Sequence, residues 1–121
     1  MENLKKFVVD LSIKLLETEY SKSSIIEYLE SINILNIEYT SQGCYINLNY
    51  KNSNLEMEPY NKSIIQDELI FDNLELVNEN LICEISASII QNKIRYIELW
   101  NKLGTNIIEI PKSYTLIKNW Q

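Results

Sequence analysis

The sequence predicts an α+β fold, in which two N-terminal helices precede an antiparallel β-sheet of about five to six strands built from hairpins. Two observations predict it. Apolar residues recur at three- and four-residue steps up to about residue 33, and from residue 34 onward they alternate with polar ones. The 121 residues suffice for one core, so we expect a single domain over residues 1–121.

The two leading segments are predicted to be amphipathic helices. The first carries one apolar stripe, formed by Leu4, Phe7, Val8, Leu11, Leu15 and Leu16. After a serine-rich break, Ser24 and Glu27 match a capping box, so we expect the second helix to begin there and to end near Asn33.

A β-hairpin is predicted next, with Gln42-Gly43 as its two-residue loop. Gly43 is expected to supply the positive φ of a tight turn. This loop places Tyr39 opposite Ile46 and Ile37 opposite Leu48, which collects the apolar side chains on one face.

The middle of the chain gives one clear strand. Residues 51–67 stay open, with a turn at 51–54, a short strand and a single helical turn around Ile64-Ile65 as the candidates. Leu69–Val77 is predicted to be a strand, and Asn78-Glu79-Asn80 the turn after it.

A second hairpin is predicted from Leu81–Ile90 and Ile94–Trp100. A three-residue loop, Gln91-Asn92-Lys93, places Ile85 opposite Leu99. A two-residue loop would instead bury a glutamate beside Ile85, at a cost of several kcal/mol unless it were paired. We therefore expect the longer loop.

Two short terminal strands, Ile107–Ile110 and Tyr114–Ile117, are predicted on either side of Pro111 after a turn at Gly104. Tyr20, Tyr28 and Tyr39 are expected to border the core with their hydroxyls in water.

The non-core face of the second hairpin combines aromatic and acidic residues. Rigid rings bordered by carboxylates are typical of a protein interface. The alternative is that the helices cover this face and that its tryptophan belongs to the core. We predict a partner-binding face formed by Glu84, Tyr96, Glu98 and Trp100, with Asp72 and Glu75 as second choices.

Composition excludes several classes of activity. The chain has no histidine, two glycines and two cysteines, so His-dependent triads, glycine-rich phosphate loops and cysteine zinc sites cannot be assembled within it. We therefore expect no catalytic residue, no cofactor and no metal site. The remaining enzymatic alternative is a carboxylate-based hydrolase, with Glu56/Glu58, Asp67/Glu68 or Glu84/Glu98 as its acid–base pair.

The net charge of the chain limits the classes of partner that it can bind. Lys and Arg total 11 against 17 Asp and Glu, a net charge of −6 that disfavours direct nucleic-acid binding and favours a basic protein. Residues 1–20 contain no uninterrupted apolar stretch, so we expect no membrane segment, a cytoplasmic location, and reduced thiols at Cys44 and Cys83.

The two leading helices, the hairpin from Ile37 to Ile46 and the late hairpin ending Ile97-Glu98-Leu99-Trp100 resemble small immunity proteins of bacterial contact-dependent growth inhibition and polymorphic toxin systems. The resemblance covers residues 24–111 in pattern. It implies a cytoplasmic antidote that binds a cognate toxin domain, often a basic nuclease, and occludes its active site.

The expected function is therefore non-enzymatic: inhibition of a cationic toxin domain, whose cleft receives carboxylates in place of substrate phosphates. We expect a monomer or a weak homodimer. The alternative of another class is an adaptor or structural module that self-associates through an exposed strand edge.

Overall fold

A computed structural model describes residues 2–61 and 67–119, and in them it confirms the α+β prediction. Two helices are followed by a six-stranded antiparallel sheet of order β1-β2-β5-β4-β3-β6. The elements are α1 (Glu2–Leu16), α2 (Lys22–Glu30), β1 (Ile34–Tyr39), β2 (Gly43–Leu48), β3 (Leu69–Val77), β4 (Ile82–Ile90), β5 (Lys93–Asn101) and β6 (Thr115–Lys118).

The predicted apolar stripe of α1 is buried against the sheet. α1 contacts β3, β4 and β6, and α2 packs beside α1. The strands turn their apolar side chains toward the helices, and this side is called the inner face below. The best-buried residues of the core are Val8, Leu11, Leu15, Leu16, Ile25, Ile46, Leu76, Cys83, Ile85, Ile94, Ile97 and Leu99. No helix of the described residues is long and apolar enough to cross a membrane.

The start of α2 differs from the prediction. Its N-cap is Ser21, whose Oγ accepts a hydrogen bond from the Ser24 N–H at 3.2 Å. Ser24 Oγ instead accepts from the Glu58 N–H at 2.7 Å, so the capping box at Ser24 is wrong. Two serines at the capping spacing were available, and the earlier one gives the helix one more turn. The helix ends at Glu30, with Ser31 as its C-cap.

The register of the β1–β2 hairpin is shifted by two residues from the prediction. Ile37 lies opposite Ile46 and Tyr39 opposite Cys44, so the loop is Ser41-Gln42. Because the shift is an even number of residues, the predicted alternation between faces is preserved.

Gly43 has a different role from the predicted one. It lies inside β2 without a positive φ. The side chain of any other residue would collide there with the carbonyl oxygen of Leu99 on β5, because the two backbones come unusually close. The glycine therefore allows the contact between β2 and β5 rather than the turn.

The β4–β5 hairpin confirms the predicted pairing of Ile85 with Leu99, but the predicted three-residue loop is wrong. The strands are joined by Gln91-Asn92, with φ of 52° and 60°, the conformation of a tight primed turn. Between the pairs Ser88–Tyr96 and Ile89–Ile94, β5 has one residue more than β4, and this bulge at Arg95 shifts the register by one residue. The bulge thus restores the pairing that the shorter loop alone would have changed.

Leu69–Val77 and the turn after it are confirmed. Residues 50–61 hold a 3-10 helix, Tyr50–Asn52, and an extended stretch in which Met57 is buried. The helical turn considered at Ile64-Ile65 lies outside the described residues.

Only the second of the two terminal strands exists, as β6. The predicted strand Ile107–Ile110 is wrong: no strand forms there, and residues 107–109 lie near the β3–β4 turn, with which they line an open depression of about 300 Å³. β6 already occupies the outer edge of β3, so residues 107–110 find no strand to pair with there.

Tyr20 and Tyr28 are buried and hydrogen-bond to protein groups, contrary to expectation, whereas Tyr39 is exposed. Tyr28 OH accepts from the Ile94 N–H at 3.0 Å, and Tyr20 OH donates to Asn92 Oδ1 at 2.7 Å. Both hydroxyls therefore tie the helical layer to the β4–β5 hairpin.

We predict that Tyr28→Phe destabilises the protein by about 1–3 kcal/mol, because the buried Ile94 N–H loses its acceptor. Urea unfolding measures the change. Tyr60→Phe, on an exposed ring, is the matched control and should leave stability unchanged. Equal stabilities for the two variants would contradict the structural role of the Tyr28 hydroxyl.

We also predict that stability falls as pH rises above about 9. Burial raises the pKa of Cys44 from 9.0 to about 12 and that of Cys83 to about 11. At a pH between the unfolded and the folded pKa of a thiol, the unfolded chain binds fewer protons than the folded one. Each thiol therefore lowers the free energy of unfolding by up to about 1.4 kcal/mol per pH unit in that range. Urea unfolding across this range should show a shallower slope in Cys44→Ala. An unchanged slope would contradict the assignment.

Candidate partner-binding face

The side of the sheet turned away from the helices, here called the outer face, carries every residue predicted to bind a partner. Five of them alternate along their strands with the buried residues of the core, and this alternation sends them outward. Asp72 has the same parity as the buried Leu74 and Leu76. It reaches the outer face because the register of β3 shifts between Phe71 and Leu74. The indole of Trp100 is 43% exposed, so the alternative that the helices cover it is wrong. The six residues are Asp72, Glu75, Glu84, Tyr96, Glu98 and Trp100.

Three of these residues form one row across the sheet. Glu75 on β3 lies opposite Glu84 on β4, which lies opposite Trp100 on β5. Two carboxylates directly opposite each other repel, and Lys102 offsets the repulsion. Its Nζ lies 2.6 Å from Glu75 Oε2 and 3.5 Å from Glu84 Oε1. The hydrogen bond to Glu75 is the main cause of the raised pKa of Lys102.

Lys102 is held in place by the turn after β5. Its N–H donates to the Ile82 carbonyl at 2.7 Å. The buried Asn101 side chain donates to the Thr105 carbonyl at 3.0 Å and accepts from the Ile82 N–H at 3.2 Å. Sequence analysis missed Lys102, because its place over the two carboxylates depends on the geometry of this turn.

Glu98 lies in the next row, between Tyr45 on β2 and Ser86 on β4. Its charge, and then a hydrogen bond, raise the pKa of Tyr45. The Tyr45 and Tyr96 rings meet edge to face, with centroids 5.3 Å apart. The two rings therefore border one side of Glu98.

A shallow depression of about 440 Å³ joins the acidic and apolar parts of this face. Ile70, which sequence analysis missed, is 51% exposed there. An ammonium or guanidinium group of a partner can donate hydrogen bonds to these carboxylates and at the same time lie over the plane of the exposed indole. The side chains that line the depression include Ile70, Asp72, Glu84, Ser86, Glu98 and Trp100.

The only arginine of the sequence lies near the end of the outer face closest to the β4–β5 turn. Arg95 forms an ion pair of 3.3 Å with Glu68 and lies over the Tyr96 ring, 5.6 Å from its centroid. Glu68 also accepts from Ser88 Oγ at 2.6 Å. These contacts give Glu68 a structural role, as a neighbour of the buried Ser88.

Of the carboxylate pairs considered from sequence, Glu84 and Glu98 lie in the same depression, whereas Glu56 and Glu58 lie outside it. Glu84 lies opposite Trp100 whereas Glu98 lies opposite Ser86, so the two glutamates are diagonal neighbours. Glu56 and Glu58 are exposed in the extended stretch before residue 61. Among the residues that the structure describes, no group of three or more cysteines and carboxylates could hold a metal ion.

No protein-family model, no curated protein and no solved structure matches this chain.

We predict that Lys102→Met lowers stability slightly at low salt, by less than Tyr28→Phe does, because Glu75 and Glu84 are then left opposite each other. Added salt should remove most of the loss. Thermal unfolding at two ionic strengths measures it.

The control for this prediction is a second substitution. Glu75→Gln in the Lys102→Met background removes the repulsion and should recover the lost stability, whereas Lys14→Met changes net charge equally on an exposed part of α1. No recovery in the double variant would show that Lys102 does not act by bridging the carboxylates.

Proposed function

We propose that this chain is a toxin-neutralising immunity protein, which binds a cationic toxin domain through its outer face and blocks the active site of that domain. The proposal rests mainly on one observation. The uncovered outer face presents an exposed indole among carboxylates, at residues Trp100, Asp72, Glu84 and Glu98. The pattern-level resemblance of residues 24–111 to immunity proteins points to the same function.

The arrangement of this face suits capture of a basic cleft. A nuclease cleft is lined with cations that bind phosphates, and carboxylates offer those cations the same charge. Trp100 and Ile70 supply apolar area at the centre, where burial contributes most to affinity. The net charge of −6 speeds the encounter with a cationic partner.

The carboxylates differ in how far they are already engaged. Lys102 bridges Glu75 and Glu84, while Glu98 is bordered by Tyr45 and Ser86 without a cation in the described contacts. Glu98 is therefore the acid we expect to bind the toxin most directly, with Asp72 beside it in the same depression. Glu75 contributes mainly by holding Lys102.

In this mechanism the chain acts without a cofactor and from the cytoplasm. It neutralises its partner by occupying a surface and neither forms nor breaks a covalent bond. The candidate partner is the variable C-terminal domain of a large secreted protein encoded immediately upstream. Its binding would be entropically favoured by release of ions and water from the two charged surfaces.

The test is a pair of matched double variants. We predict that Glu98→Lys with Trp100→Ala weakens binding of that toxin domain by roughly a hundredfold, because a repulsive charge and a lost anchor coincide at the centre of the interface. Titration calorimetry measures the dissociation constant. The control, Glu30→Lys with Tyr60→Ala, makes the same charge reversal and a comparable aromatic truncation at exposed positions outside the outer face.

Co-expression with the toxin domain supplies the biological readout. The wild-type chain and the Glu30→Lys/Tyr60→Ala control should restore growth, and Glu98→Lys/Trp100→Ala should not. Unchanged affinity in the outer-face variant would refute this site. Failure of the wild-type chain to bind the toxin domain would refute the function itself.

A further inference from the structure

The edge strand β1 has a free side. It is the terminal strand of the sheet, and its one strand partner within residues 2–61 and 67–119 is β2. Leu35 is 58% exposed and Tyr39 is 45% exposed, although both belong to residue types that sheets normally bury. An edge of this kind can add a further strand through its backbone.

The hydrogen bonding of the first hairpin shows which backbone groups face outward. The Thr40 N–H donates to the Gly43 carbonyl at 2.9 Å, so Thr40 and Gly43 form a hydrogen-bonded pair. In an antiparallel ladder such pairs recur at every second residue, which places the next one at Glu38. The N–H and C=O groups of Ile37 and Tyr39 therefore point away from β2.

We propose that β1 pairs antiparallel with β1 of a second copy of this chain, about a two-fold axis at Ile37. A bulge at Leu35 interrupts β1 between Ile34 and Asn36, so the regular part of the strand runs from Asn36 to Tyr39. In this register Ile37 lies opposite itself, so apolar side chains meet at the axis. Asn36 lies opposite Glu38, so polar side chains meet on the other face. The two sheets become one continuous sheet.

The alternative registers are poorer. Moving the axis by one residue to Glu38 places the two copies of Glu38 directly opposite each other, where like charges repel. Moving it to Asn36 would require regular pairing through the bulge between Ile34 and Asn36. The register centred on Ile37 avoids both difficulties and uses backbone groups that have no strand partner in the described residues.

A second copy would also cover the apolar side chains that are exposed on β1. The contacts of α1 with the sheet fall on β3, β4 and β6, at the half of the sheet away from β1. Pairing would cover Leu35 and Tyr39 on both copies. The acidic depression lies on β3, β4 and β5, so both copies keep it accessible. The dimer is therefore independent of the proposed toxin inhibition.

One test reverses the charge at a single position. Asn36→Lys places an ammonium opposite Glu38 of the second copy, and Asn36→Glu places a carboxylate there; both variants lose the same hydrogen bond to Asn47. Since two such pairs form per dimer, we expect dissociation constants about tenfold lower for Asn36→Lys and about tenfold higher for Asn36→Glu. Analytical ultracentrifugation of a dilution series measures them.

The control repeats the two substitutions at the exposed Asn54, away from β1. The same changes in net charge should move the dimerisation constant much less there. Equal shifts at both positions, or a chain that stays monomeric at every concentration including as Asn36→Lys, would overturn the proposal.

A second test reads the register directly. Hydrogen-bonded antiparallel pairs have Cα atoms about 5.5 Å apart, a distance that a disulfide can span. Ile37→Cys should therefore cross-link to itself under mild oxidation, whereas Tyr39→Cys, two residues from the axis, should not. Both variants are made in a Cys44→Ala background, because Cys44 lies opposite Tyr39 within one chain and would compete for the new thiol; Cys83 is buried. Cross-linking of Tyr39→Cys as efficiently as Ile37→Cys would contradict this axis. Loss of dimerisation with intact toxin binding would refute the edge contact alone.

Discussion

The β4–β5 pairing determines which side chains this molecule presents to its surroundings. A tight turn at Gln91-Asn92 would by itself set a register that carries Glu98 toward the core, and the bulge at Arg95 corrects the register by one residue. Because every outer-face position on β5 shares this alternation, Tyr96, Glu98 and Trp100 all depend on that one irregularity.

The same pairing anchors the rest of the fold. Tyr28 and Tyr20 connect the helical layer to residues next to the turn, at Ile94 and Asn92. The Met57 N–H donates to the Asn92 carbonyl at 2.9 Å, which ties the extended stretch after the first hairpin to the same turn. Helices, stretch and sheet therefore share one attachment point. Asn92 suits this position for two reasons: asparagine tolerates a positive φ, and the amide oxygen of its side chain accepts a hydrogen bond.

Sequence periodicity predicted the elements well because burial on one face imposes a simple rule on each of them. The helical stripe of α1, the limits of β3 and the inward positions of β4 all follow from apolar spacing. Turns were predicted less well. The local sequence allows several positions for a loop, a bulge or an N-cap, and tertiary contacts decide between them. This applies to the Ser41-Gln42 loop, the β4–β5 bulge and the N-cap at Ser21.

The candidate face was predictable to a similar degree. Alternation alone sends Glu84, Glu98 and Trp100 outward, so their shared face could be read from the sequence. The sequence did not predict three further residues of this face, Lys102, Tyr45 and Ile70. They reach the face from a turn or from other strands, and local sequence patterns do not show how the strands are ordered in the sheet. Strand order needs pairings between distant parts of the chain.

That strand order has a consequence for how the chain is made. β2 pairs with β5, so the strand beside the first hairpin comes from residues 93–101, after β3 and β4 in the sequence. During synthesis from the N-terminus, the hairpin of β1 and β2 leaves the ribosome well before that neighbour exists. Closing so long a segment is entropically unfavourable until the late hairpin is available. The nascent chain thus passes through a stage with an incomplete sheet, a stage at which chaperones can bind it.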